Sequence, residues 1–173
     1  MSGPPPPQRV PADAEQARGH VADARHLLEA TIARASSFTE DDCNRRVDDE
    51  WSTVESLRHI VFVVDVWLGR AIKGEADPFH PMGIPPQFVP RVLPGSSIDP
   101  DGSPTFDEAC QALRGRLASL DAYVDALGPD ELSREIGTLA KDVAGGLGVI
   151  FDELTFHNAF INRDLDKIER VRA

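Results

Sequence analysis

The chain has 173 residues, of which 41% are hydrophobic and 27% are charged, and its formal net charge is −11. This length and composition are typical of one soluble globular domain with a substantial core. Nucleic-acid binding and a membrane span are not expected, because the charge repels phosphates and the sequence has no basic run and no apolar run of about 18 residues.

The N-terminus is rich in proline and lacks the basic start and apolar centre of a signal peptide. We expect residues 1–10 to form a disordered arm and residues 11–173 to form a single domain. After Pro11, acidic residues and apolar residues at spacings of three and four predict a first helix over about residues 12–36.

Polar residues 40–50 predict a connector that could include one helical turn. The second helix starts at a capping box, in which Ser52 is followed three residues later by Glu55. From there to Ile72 the pattern is apolar on most of the helix circumference. Such a helix lies centrally in a bundle or is covered on one side by another subunit.

Residues 74–104 are crowded with proline and glycine and show no regular period. They predict a long loop between the second and third helices, and a loop of this length is often functional. The loop contains His80, which could close over a site as a further group. The alternative, which the loop sequence favours, is a histidine fixed between prolines with no role in a site.

The third helix starts at a second capping box at Thr105 and runs to Gly128, with a short helical turn expected at residues 129–132. A glycine pair at residues 145–146 marks the approach to the fourth helix, over residues 147–171. Four long helices without strands predict an all-α bundle.

Cys43 and Cys110 are far apart and lack CxxC spacing. This usage favours free thiols in a reducing, cytoplasmic location over a disulfide between them.

Three ionisable residues on the second and fourth helices could form a metal site. Glu153 and His157 are four residues apart and project from one helix face, and His59 lies on the other helix. Two imidazoles and one carboxylate can hold a divalent first-row metal with positions left open. Without a metal, Glu153 and His157 would be an ordinary pair within a helix, or Glu153 would orient His157, and His59 would be a satisfied buried polar group.

Several segments resemble the DinB-like superfamily of bacterial four-helix bundles, in particular its actinobacterial members. The matching segments are residues 51–62 (WSTVESLRHIVF), 78–84 (PFHPMGI), 153–157 (ELTFH) and 162–165 (NRDL). The resemblance implies an up-and-down four-helix bundle with a metal site between its helices. The usual ligands of the family are three histidines, which His59 and His157 match at the first and last positions. Glu153 replaces the middle histidine and favours harder metals.

Related members include mycothiol- and bacillithiol-dependent transferases and isomerases. The resemblance therefore implies a divalent metal (Zn, Ni or Mn), a low-molecular-weight thiol such as mycothiol, and transferase or hydrolase chemistry on a small molecule, because a metal stabilises the reactive thiolate. It also implies a homodimer. The alternative is a non-catalytic dimeric bundle, in which Glu153 and His157 form a structural pair and no metal binds.

Overall fold

Five α-helices make up most of the computed structural model, which describes residues 7–87, 89–90, 93–137 and 139–172. Their bounds are α1 (Ala14–Ala35), α2 (Glu40–Cys43), α3 (Thr53–Val64), α4 (Phe106–Asp125) and α5 (Val143–Arg172). The same part of the chain contains no β-strand. The predicted all-α bundle is confirmed.

Two further helical segments extend this set. A π-helix over Asp65–Ile72 continues directly from α3, and a 3-10 helix spans Glu131–Ser133. The second predicted helix is therefore present over its full length, but its last eight residues have π geometry. Long π segments are rare and often occur near functional sites.

Side-chain caps explain where the helices start. The hydroxyls of Thr39, Ser52 and Thr105 each accept the backbone N–H three residues later, and the acidic side chain there accepts the cap residue's own N–H. Asp13 caps α1 by accepting the N–H of Gln16. The capping boxes predicted at Ser52 and Thr105 are thus confirmed.

The fourth long helix begins earlier than predicted, because its two glycines lie inside α5 rather than before it. Asp142 accepts the N–H of Gly145 at 2.9 Å and supports the first turn. A Cβ atom at Gly146 would lie 3.1 Å from Ile136 Cδ1. Here glycine permits close packing and does not break the helix.

The four long helices pack in a ring around one core. α1 packs mainly against α4 and α5, and α3 packs mainly against the same two helices, so α1 and α3 lie diagonally opposite. The largest fully buried side chains line this core: Phe151, Leu28, Leu57, Ile60, Leu113, Leu117, Leu120, Leu147, Ile150, Leu154, Ile161 and Leu165. The predicted apolar stripes therefore face one another.

The long loop after the π-helix covers the outer face of α3. Phe62 of α3 packs with Phe79 and Ile98 of the loop in a small apolar cluster separate from the main core. One face of α3 is buried in the main core and the other is buried under the loop. The apolar residues around most of this helix are therefore covered by the chain itself.

A buried ion pair ties the same loop to two helices. Asp65 accepts the backbone N–H of His80 at 2.7 Å, and its other oxygen lies 2.5 Å from Arg116 Nε. Arg116 also donates to the carbonyl of Pro78 at 3.3 Å. The start of the loop is therefore held against both the π-helix and α4.

The end of the predicted N-terminal arm lies along α5. The backbone N–H of Gln8 donates to Asp152 at 2.6 Å, and Arg9 pairs with the same carboxylate at 3.0 Å. Val10 packs against Gly148, where a Cβ atom would lie 2.9 Å from Val10 Cγ2. Residues 1–6 of the predicted arm lie outside the described residues.

Both cysteines are free, as predicted, and the structure shows that both are buried. Burial raises the pKa of Cys43 to about 11 and that of Cys110 to about 12. Both thiols are therefore protonated at neutral pH and are poor nucleophiles. Within the described ranges, no helix is long and apolar enough to cross a membrane.

Candidate metal site

Packing of α3 against α5 brings the three predicted ligands together. His59, Glu153 and His157 each offer a ligand atom, and these atoms all lie within 4.8 Å of one another. Both histidines are buried, whereas the Glu153 side chain is 39% exposed. The group therefore lies at the edge of the core, with its carboxylate toward solvent.

A backbone carbonyl of the loop orients the His59 ring. His59 Nδ1 lies 2.9 Å from the carbonyl oxygen of Ile84. A carbonyl can only accept, so Nδ1 carries the hydrogen and Nε2 keeps its lone pair. Burial is the largest influence on this imidazole and lowers the pKa of His59 to about 4. His59 is therefore neutral at pH 7, as a metal ligand must be.

Glu153 and His157 contact each other within α5. His157 Nε2 lies 3.4 Å from Glu153 Oε2, which is long for a strong hydrogen bond. This contact is the largest influence on the carboxyl group and lowers the pKa of Glu153, against the opposing effect of burial. Glu153 is therefore ionised at neutral pH. His157 Nδ1 is buried and has no hydrogen-bond partner among the described residues.

These donors fit a divalent first-row metal. Two donors that are each about 2.1 Å from a tetrahedral ion lie roughly 3.4 Å apart, which is the separation of His157 Nε2 and Glu153 Oε2. The ligand atoms of the whole group lie at most 4.8 Å apart, and a small side-chain movement would bring them to the separation that a tetrahedral ion needs. Imidazoles bind a metal in their neutral form and the carboxylate supplies one negative charge, so a bound divalent ion would leave the site with a net positive charge.

Aromatic rings surround the two imidazoles. The ring of Trp51 is centred 4.6 Å from that of His59 and 6.2 Å from that of His157. Phe156 meets His157 edge-on at 5.2 Å, and Phe160 lies 6.2 Å away. Phe156 is nevertheless 62% exposed. The site therefore has an apolar rim at the surface.

Sequence reasoning assigned no role to Trp51 or to the carbonyl of Ile84. Trp51 directly precedes the capping residue of α3, and an apolar residue there often folds back over the first turns of its helix. That position is the signal that would have indicated its contact with His59. No sequence signal marks a backbone carbonyl 25 residues away.

His80 lies outside the group of three ligands. Its Nδ1 accepts the backbone N–H of Met82 at 3.2 Å, within the same loop. Burial lowers the pKa of His80. A role for His80 in closing the site stays a prediction.

Comparison with known families and structures identifies the family and the fold of this chain. Residues 24–161 match the DinB superfamily, and this span contains all three candidate ligands. The chain belongs to the DinB superfamily. A crystal structure of an uncharacterized protein from Clostridium difficile 630 resembles this member with a TM-score of 0.61 at 16% identity, covering 92% of this chain and 99% of that one. This likeness shows the fold alone. No curated protein matches the chain.

Proposed function

We propose that this DinB superfamily protein binds one divalent metal (Zn, Ni or Mn) through His59, Glu153 and His157. We further propose that it activates a thiol or a water molecule as a nucleophile toward a small electrophile, as a transferase or hydrolase. The observation that carries the proposal is the convergence of three ligand atoms within 4.8 Å from two helices. The fold brings His59 to Glu153 and His157, although His59 is distant from both in sequence.

The protonation states of the ligands support this proposal. A metal site forms readily at neutral pH when its histidines are neutral and its carboxylate is ionised. The lowered pKa of His59, about 4, and the lowered pKa of Glu153 meet this condition for two of the three ligands. Binding at these two groups would therefore release few protons at pH 7.

The chain's own residues would control access to the nucleophile. A bound metal would lower the pKa of a thiol or water at its open position. The ring of Trp51 lies against His59 and 6.2 Å from His157 and would shield that side from water, while the partly exposed Glu153 would leave the other side open. Because Cys43 and Cys110 are buried and protonated, a thiol would come from a separate small molecule such as mycothiol.

Elemental analysis tests the metal site directly. Protein purified without chelator or metal-affinity resin is expected to contain close to one equivalent of zinc, nickel or manganese. We expect His59→Ala and His157→Ala to lose this metal and Glu153→Gln to bind it more weakly, because a neutral amide is a poorer ligand than a carboxylate. His26→Ala is the matched control, since His26 is exposed on α1.

Two results would contradict the proposal. One is a parent protein that neither contains nor takes up these metals, which would favour a structural Glu153–His157 pair in a non-catalytic bundle. The other is a pair of histidine variants that bind metal as well as the parent. The homodimer implied by the family stays a prediction, and sedimentation equilibrium of the untagged chain would test it.

A further inference from the structure

We infer that Arg58 is a positioning residue for the metal site. It holds the loop backbone at residues 82–84 so that the carbonyl of Ile84 keeps His59 in the tautomer with Nε2 free to bind. The predicted effect of Arg58 on metal affinity rests on the proposed function. It also makes a separate statement about His59 in the metal-free protein.

Arg58 is buried, with 6% of its surface exposed, and its guanidinium binds carbonyls from two parts of the loop. Nε donates to Met82 at 2.7 Å and Nη1 donates to Gly102 at 2.7 Å, with a longer contact of 3.5 Å from Nη2 to Asp99. A buried cation is costly unless its donors are satisfied, so these contacts hold the side chain and the loop in one arrangement.

The main chain of Arg58 holds the same segment at a second point. The N–H of Ile84 donates to the carbonyl of Arg58 at 3.3 Å, two residues after the carbonyl that accepts from the Arg58 side chain. The segment is therefore held by hydrogen bonds on both sides of Gly83. Space is tight there, because a Cβ atom at Gly83 would lie 3.2 Å from the carbonyl oxygen of His80. The carbonyl of Ile84 belongs to the peptide directly after the Gly83–Ile84 peptide that the main-chain bond holds, so these contacts restrict the segment that carries it.

That carbonyl is the hydrogen-bond partner of His59 Nδ1, at 2.9 Å. The hydrogen bond made by one ring nitrogen determines which nitrogen can bind a metal, and outer partners of this kind affect metal affinity about 10- to 100-fold. Arg58 acts on His59 through this carbonyl and is not a ligand. The two residues are neighbours in α3, yet their coupling runs through the loop.

The second attachment of the loop provides a matched control. Asp65 is also buried and charged, and it binds the backbone N–H of His80 at 2.7 Å. Asp65→Asn therefore weakens the same loop at a different point without removing a contact to residues 82–84. Arg58→Lys keeps the positive charge but cannot reach several carbonyls at once, and Arg58→Met removes the charge while retaining much of the length.

The first experiment measures nickel affinity by calorimetry on chelator-treated, dialysed protein. We expect Arg58→Met and Arg58→Lys to bind nickel about 10-fold or more weakly than the parent, within the range for outer partners of ligands. Asp65→Asn should stay within about threefold, because it leaves the Ile84 carbonyl in place. Far-UV circular dichroism would establish that each variant retains its helices. Folded Arg58 variants with the parent's nickel affinity would overturn the inference.

The second experiment reads the His59 tautomer by long-range ¹H–¹⁵N correlation in metal-free protein. We expect the Nδ1–H tautomer in the parent and in Asp65→Asn, and a mixture of both tautomers in Arg58→Lys. An Nε2–H tautomer in the parent would overturn the inference even if no Arg58 variant folded. A parent that binds none of zinc, nickel and manganese but shows these tautomers would refute the proposed function alone.

Discussion

The ionisation of Asp65 offers a quantitative test of how the loop is held. Its side chain is 3% exposed and is paired with Arg116, and it accepts the backbone N–H of His80. Burial is nevertheless the largest influence and raises the pKa of Asp65 from 3.8 to about 6. Both partners favour the charged form, but they do not offset the loss of hydration.

The sign and size of the effect on stability follow from this pKa. At about 1.4 kcal/mol per pKa unit, a rise from 3.8 to about 6 corresponds to about 3 kcal/mol. Because the folded state holds the proton more tightly, the stabilisation is fully present below about pH 4 and is lost as the pH rises through about 6. Between about pH 4.5 and pH 7.5, the free energy of unfolding should fall by about 2 kcal/mol from this group alone.

Comparison with Asp65→Asn isolates this contribution, since the other titrating groups are shared by both proteins. Urea unfolding of chelator-treated protein, followed by circular dichroism, would give the free energy of unfolding of each at several pH values. The parent-minus-variant difference should decrease by about 2 kcal/mol from about pH 4.5 to pH 7.5. A constant difference would refute the reasoning. A difference that increases with pH would mean that attraction to Arg116 outweighs burial.

Two further predictions concern the surroundings of the site and the loop. Nickel should quench the emission of Trp51, whose ring is centred 4.6 Å from that of His59. Trp51→Phe, which retains Trp67, should show no such decrease in a fluorescence titration, and equal quenching in both would contradict this placement. Gly69→Ala should lower the free energy of unfolding by about 1–3 kcal/mol, because its Cβ would overlap Pro78. Gly19→Ala, which meets nothing within 4 Å, should raise it by up to about 1 kcal/mol; urea unfolding would measure both, and equal shifts would exclude the Pro78 contact.

The helices could be predicted from the sequence because their signals are local. The capping boxes at Ser52 and Thr105 and the apolar stripes act within one or two helical turns. The start of α5 was predicted too late because a glycine pair commonly interrupts a helix. In the structure the packing of Ile136 against Gly146 overrides that preference.

The candidate site was predictable to the extent that it depends on helical spacing. Glu153 and His157 share a face of α5 because they are four residues apart, and that relation holds for any helix. The position of His59 on another predicted helix suggested the group of three, and the family resemblance supported it. The distance within which the three ligand atoms converge, 4.8 Å, depends on how α3 packs against α5.

The sequence by itself therefore determined an all-α chain with a carboxylate and an imidazole on one helix face, since periodicity and capping are properties of neighbouring residues. Only the tertiary structure decided which groups surround His59. Trp51 folds back over it, the carbonyl of Ile84 orients it, and Arg58 holds that carbonyl in place. The physical reason is that every residue carries the same carbonyl group, so its role as a partner depends on where the folded chain places it.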